Sequence, residues 1–185
     1  EFPFDSKLDN ARDWFIIGLW TGLRVSDLLN LTSNNIEDGF IKITSQKTEI
    51  PVLIPIHEQV ASVLDKRSGE FPRRISDVKL NKYLKEVCEK AGLTKLTDGY
   101  KKMPIDHNGK TIYRKQRGKF PKYELVSSHI CRRSFATNLY GKLSNMSIMS
   151  ITGHKTEQNF LAYIKITPKE HAQKLLEFWS NSNKK

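Results

Sequence analysis

Residues 127–140 read SSHICRRSFATNLY. Two serines, which suit a helix start, are followed at once by a histidine and two arginines. The apolar pattern behind them predicts a helix over about 128–141. A helix N-terminus already presents unpaired N–H groups and the positive end of a dipole. Placing His129 and Arg132 one turn apart at that end builds an anion site. The rest of the chain must say which anion.

Composition narrows the answer. The chain has 185 residues, 38% of them hydrophobic, enough for one domain or two small ones with a real core. Lys plus Arg number 31 and Asp plus Glu 20, a net charge of +11. Such a balance points to a polyanionic partner, nucleic acid first, with a plain basic protein as the alternative. Cys88 and Cys131 form neither a disulfide framework nor a zinc spacing, and the five histidines are scattered singly. Neither GxxxxGK nor GxGxxG occurs. No cofactor, nucleotide or metal, is therefore expected. No apolar run approaches a membrane span and no signal-peptide pattern opens the chain, so the reading is a soluble cytoplasmic protein with no membrane partner.

Outward from the opening stretch, the periodicity is mostly helical. Leu8, Ala11, Phe15 and Leu19 predict a helix over 7–21 that stops at Gly22. A short helix capped by Ser26 should follow, carrying Leu28, Leu29 and Leu31. GFIKIT and EIPVLIPI, within 40–56, read as an antiparallel pair joined through SQKTE, with Lys47 at or near the tip. Pro51 and Pro55 place the second strand at an edge. Helices are expected over 57–67 and 77–91. The second has Ser76 as cap, Gly92 as stop and the stripe Leu80, Tyr83, Leu84, Val87, Cys88, Ala91. Residues 97–123 are the least regular, with DHNG at 106–109 marking a turn and a possible hairpin tip. Three helical pieces close the chain at 145–152, 156–164 and 168–180, the last opened by the capping box of TPKE. The fold class read from this is mainly α with a small antiparallel β-sheet (α+β), a single domain over 1–185.

Taken singly, the other candidate residues are ordinary. Arg24 in TGLRVSDLLNL reads first as a surface arginine paired with Asp27, and a lysine in a hairpin turn is commonplace. His154, in TGHKTEQNFLAY, suits a cap or a core, and Tyr163 a half-buried site. In sequence order, however, TGLRVSDLL, a β-turn lysine, HICRRSFAT and TGHKTEQNFLAY resemble the catalytic domain of the tyrosine recombinases, the phage integrase family. That family's Arg, Lys, His-x-x-Arg, His or Trp, and Tyr fall on Arg24, Lys47, His129 with Arg132, His154 and Tyr163. HxxR alone carries no information; followed by GH and a tyrosine nine residues on, it is specific. Lys42, in the preceding strand, is a weaker alternative to Lys47. The wording RRSFATNLY and ITGHKTEQNFLAYIK looks most like integrases of mobile elements in Bacteroidetes.

The resemblance implies a site-specific recombinase or integrase that cleaves and rejoins DNA through a covalent 3′-phosphotyrosine, without ATP or metal. Tyr163 would be the nucleophile, Arg24 and Arg132 the donors to the non-bridging oxygens, and His129 the acceptor of the tyrosine proton. His154 would hydrogen-bond the phosphate, and Lys47 would protonate the departing 5′ oxygen. The serines are then caps, and the anion of the opening stretch is a scissile DNA phosphate. Arg133, about 100° further round the helix, reads as structural or as a backbone-phosphate contact. The basic stretch 109–125 is either a solvated loop or a DNA-backbone contact through Lys110, Arg114, Lys115, Arg117 and Lys119. Partners implied are double-stranded DNA and other protomers in a DNA-bound tetramer, reached through helix 168–180 with Ala172, Leu175, Leu176 and Trp179 on one stripe. The isolated chain is expected to be monomeric. The family's N-terminal core-binding and arm-binding domains do not precede residue 1, so the chain reads as a catalytic fragment. A type IB topoisomerase and an inactive DNA-binding module remain as competing readings.

Overall fold

The structure, a computed structural model, describes residues 1–44, 51–164 and 168–182. Helix α1 (Lys7–Thr21) starts where the Ser6 side chain accepts from the Asp9 amide and ends at Gly22. Its buried face is rotated from the predicted stripe. Leu8, Ala11, Trp14 and Ile17 are buried, while Phe15 and Leu19 are half-buried. Two carboxylates explain the rotation. Asp9 and Asp13 are buried because Arg12, Lys66 and Arg67 pair with both of them. A periodicity reading counts such residues as solvent-facing.

Helix α2 (Val25–Leu28) follows with Arg24 at its N-cap, so Ser26 lies inside the helix and is not its cap. Next come β1 (Ile36–Glu37), β2 (Phe40–Thr44) and β3 (Pro51–Pro55), antiparallel in the order β1-β2-β3. The prolines sit on the edge strand, and Ile41, Ile43, Val52 and Ile54 point inward. The turn expected to carry Lys47 lies outside the described residues. Helices α3 (Glu58–Lys66) and α4 (Asp77–Lys90) agree with the sequence reading. Ser76 caps α4, and Leu80, Leu84, Val87 and Cys88 are buried; Ala91, past its end, is exposed.

The segment 97–123 departs most from expectation. It is a two-stranded antiparallel ribbon, β4 (Leu96–His107) and β5 (Lys110–Pro121), turning at Asn108–Gly109. The tip falls at DHNG, where both central residues have positive φ, as a tight hairpin turn requires. The strands were hidden because Lys, Arg and Gln occupy both faces, leaving little apolar alternation.

After the 3-10 turn Lys122–Leu125, helices α5 (His129–Leu139), α6 (Asn145–Thr152), α7 (Glu157–Tyr163) and α8 (Pro168–Ser182) complete the chain. Ser144 and Thr156 cap α6 and α7 with their hydroxyls. Ser128 does not cap α5 in this way. Its amide instead donates to Asn81 Oδ1 at 2.7 Å, tying the start of α5 to α4. Thr167, the expected cap of α8, lies outside the described residues. The main core joins α1, α3, α4, β2 and β3. A second cluster of Phe135, Ala136, Ile148, Phe160 and Ile164 binds α5, α6 and α7 together. The whole is a mixed α+β fold with two small antiparallel sheets.

Candidate active site

Two helix ends and two arginines define the floor of the site. Arg132, on α5, is buried and donates from Nη1 to the Gly22 carbonyl at 2.9 Å. Arg24, two residues past Gly22, donates from Nη2 to the Gly153 carbonyl at 3.1 Å. Gly22 ends α1 and Gly153 ends α6, both in the left-handed region at φ 62 and 61. A side chain at either position would be strained by that backbone conformation. A Cβ on Gly22 would lie 2.5 Å from the Phe135 ring, and one on Gly153 3.2 Å from the Arg24 guanidinium. Each terminal glycine thus anchors an arginine brought from a distant part of the chain. Burial, and then the charge of Arg24, pull the Arg132 pKa down to about 10, with Tyr163 and Asp27 acting the other way. It stays cationic at neutral pH. Two cations held this close in a half-dry site favour an anion between them.

The remaining residues close over that floor. Tyr163, the last residue of α7, donates its hydroxyl to the His129 backbone carbonyl at 3.4 Å. Its ring lies edge-on to His129 at 5.2 Å and 4.9 Å from the His154 ring. The Arg133 guanidinium sits 5.3 Å from the centre of the same ring. Burial raises the Tyr163 phenol, and the cations Arg132, Arg133 and Arg24 offset part of that rise. Burial, then Arg133 and Arg132, hold His129 below the usual histidine range.

His154 has a defined tautomer. Thr152, fully buried, donates its hydroxyl to the Ile148 carbonyl at 2.7 Å. A carbonyl oxygen only accepts, so the one hydroxyl proton is committed there. The 2.8 Å contact between Thr152 Oγ1 and His154 Nδ1 then requires Nδ1 to be the donor. In the neutral ring, Nε2 carries the lone pair. Burial, with Arg132, Arg24 and His129 nearby, pulls the His154 pKa down to about 4.

The structure thus brings Arg24, His129, Arg132, His154 and Tyr163 to one place, and Lys47 lies outside the described residues. Lys42, the alternative, is exposed and paired with Glu37 at 2.8 Å. Two contacts escape a motif reading. Arg133 faces Tyr163, and its buried Nε has no hydrogen-bond partner among the described residues. Thr152 gave one faint signal, since a threonine at a helix end can bond back to the carbonyl four residues earlier. Cys131, behind the site, is buried with its thiol pushed up to about 12, which makes it inert. Among the described residues no group of three His, Cys, Asp or Glu side chains is arranged to hold a metal ion. No described helix is long and apolar enough to cross a membrane.

Comparison with known proteins gives this chain a family. The model of the phage integrase family matches residues 11–170, and the chain belongs to that family. Solved structures share the fold. XerH site-specific recombinase bound to a palindromic difH substrate aligns at 18% identity with a TM-score of 0.64, covering 97% of this chain and 48% of that one. The Tn1549 transposon integrase in complex with transposon right end DNA gives 17% and 0.59, covering 91% and 58%. A lambda integrase dimer bound to a COC′ core site gives 19% and 0.56, covering 86% and 52%. The chain therefore spans about half the length of these recombinases. No curated protein matches the sequence.

Proposed function

We propose that the chain is the catalytic domain of a site-specific DNA recombinase that integrates or excises a mobile element. The observation that carries this reading is the position of Tyr163. Its phenol lies among His129, His154 and Arg133, beside two arginines locked on helix ends. Tyr163 attacks the scissile phosphorus, a phosphotyrosine ester forms, and the bond to the 5′ oxygen breaks. The phenol is a poor nucleophile at neutral pH, more so once buried, so its proton must leave during attack. His129 accepts it and returns it in the rejoining step. Arg24 and Arg132 donate to the non-bridging oxygens, where charge gathers in the transition state. His154 adds a third donor once Nε2 is protonated, and Lys47 supplies the proton for the departing 5′ oxygen. The ester conserves the energy of the broken bond, so the chemistry calls for neither ATP nor metal.

Assembly on DNA would involve four protomers. The exposed stripe of α8, with Leu175, Leu176 and Trp179, supports exchange of that helix with a neighbour. The apolar groove lined by Leu19, Trp20, Ile54, Phe135 and Leu139 is a suitable acceptor. The motif wording supports a Bacteroidetes element, with the enzyme working in the cytoplasm on the nucleoid. Single-turnover cleavage of nicked duplexes of randomised sequence tests the proposal. Capture of DNA in an SDS-stable adduct is expected. Absence of any adduct over the whole pool would leave only a DNA-binding module. Relaxation of supercoiled plasmid without strand exchange would point instead to a type IB topoisomerase.

A further inference from the structure

The ribbon β4–β5 has two chemically different faces. Residues directly paired across strands share a face. One face pairs Asp98 with Lys119, Tyr100 with Arg117 and Lys102 with Lys115. The other pairs Gly99 with Gly118, Met103 with Arg114 and Ile105 with Ile112. The base of this second face, at Gly99 and Lys101, seats the ribbon on its own domain, while Met103, Arg114 and Lys110 further out are exposed. Leu125 covers Gly99 so closely that a Cβ there would come within 2.6 Å, and Lys101 pairs with Glu124 at 2.6 Å. The first face points away from that seat and all six of its paired residues are exposed, Tyr100 at 65%.

Length, charge and spacing give that exposed face a partner. Twelve residues per strand make a ribbon about 40 Å long. A two-stranded ribbon is marginal in water without a covering layer, and among the described residues no apolar layer covers its exposed face. Lys102 stands directly opposite Lys115, an unfavourable pair unless an anion lies over it. Lys115, Arg117 and Lys119 occupy alternate positions of one strand, a row of cations about 7 Å apart. A two-stranded ribbon also has the dimensions of the DNA major groove.

Building on the DNA reading above, we infer that the ribbon is a DNA-binding arm that uses one face only. Lys102, Lys115, Arg117 and Lys119 contact phosphates of the duplex beyond the scissile one. Lys110 and Arg114, on the opposite face, do not. The five basic residues that the sequence groups together in β5 are thereby divided by register.

Two charge-matched double variants test the assignment. Lys115→Gln with Arg117→Gln removes two cations from the proposed face. Lys110→Gln with Arg114→Gln removes two from the other. All four side chains are exposed, so melting temperatures should stay at the wild-type value. The readout is the slope of log affinity for a duplex against log salt concentration. The first pair should lower that slope by about 1.8, two contacts at about 0.9 each. The second pair should leave it unchanged. Equal losses would reduce the ribbon to a diffuse cation, and no loss from the first pair would remove it from the interface. Trapping of the Tyr163 adduct separates the two readings. A normal adduct with unchanged slopes overturns the arm alone, whereas absence of both binding and adduct overturns the arm and the recombinase reading together.

Discussion

Arg24 and Gly153 are 129 residues apart in sequence, yet the arginine donates to the glycine carbonyl at 3.1 Å and would lie 3.2 Å from a β-carbon there. The helix end that precedes His154 is therefore also the rest on which Arg24 lies. Gly153→Ala should both strain the left-handed backbone and push Arg24 aside. The expected outcome is a loss of about 1 kcal/mol or more in stability with a fall of about 100-fold in cleavage rate, the scale of a misplaced catalytic group. Urea denaturation and single-turnover cleavage measure the two effects. A rate equal to wild type would show that the arginine does not depend on this rest.

His154 makes a pH-dependent prediction. Its folded pKa of about 4 lies below the ordinary 6.5, so the fold favours the neutral ring. The stability this contributes is complete above pH 6.5 and is lost as pH falls from 6.5 toward 4. The melting temperature should fall over that window, and His154→Asn should fall less. With Nδ1–H committed to Thr152, the neutral ring offers only a lone pair at Nε2, so donation to a phosphate requires protonation. DNA binding should then take up protons between pH 5 and 6.5, seen by calorimetry in buffers of different ionisation enthalpy. Loss of His154 should remove that uptake, because His129, which burial and then Arg133 and Arg132 hold below the usual histidine range, stays neutral to accept the Tyr163 proton.

Thr152→Val separates the hydroxyl from its shape. The variant loses the hydroxyl's bonds to Ile148 and His154 at a cost of about 1–3 kcal/mol. It also frees the imidazole to place its proton on Nε2. Proton uptake on binding DNA should shrink while the fold persists. Uptake identical to wild type would show that the tautomer is fixed by something else.

Arg133→Gln removes the cation from the Tyr163 ring. The phenol pKa should rise, moving the alkaline limb of the cleavage profile to higher pH and slowing cleavage about tenfold at neutral pH. An unshifted profile would leave Arg133 a packing residue.

Asp13→Ala tests the network that rotated α1. The fully buried carboxylate is shared by Arg12, Lys66 and Arg67. Removing it leaves Arg12, Lys66 and Arg67 to share Asp9 alone and should cost about 1–3 kcal/mol in urea denaturation. A loss under 1 kcal/mol would show the network to be peripheral.

What the sequence disclosed follows from what is local. The α4 helix was legible because its cap, its apolar stripe and its turn residue all lie between Ser76 and Gly92. The HxxR and GH-to-Tyr spacings were legible for the same reason. Arg24 had meaning only in combination, since its partner Gly153 lies at the other end of the chain. The inward face of α1 was misjudged because buried Asp9 and Asp13 look like surface residues until Lys66 and Arg67 are placed beside them. The tip of the ribbon was legible at DHNG, but its strands were not, because its two faces differ in what they touch more than in how apolar they are. Capping by Ser26 and Ser128 failed because serine suits a helix start without being required there.

The most direct measurement is mass spectrometry of the peptide trapped on a nicked suicide duplex. The expected species is the peptide containing Tyr163 joined through its phenolic oxygen to a DNA 3′ phosphate, and absent from Tyr163→Phe. Attachment at another residue, linkage to a 5′ phosphate, or an adduct that survives the phenylalanine substitution would contradict the account.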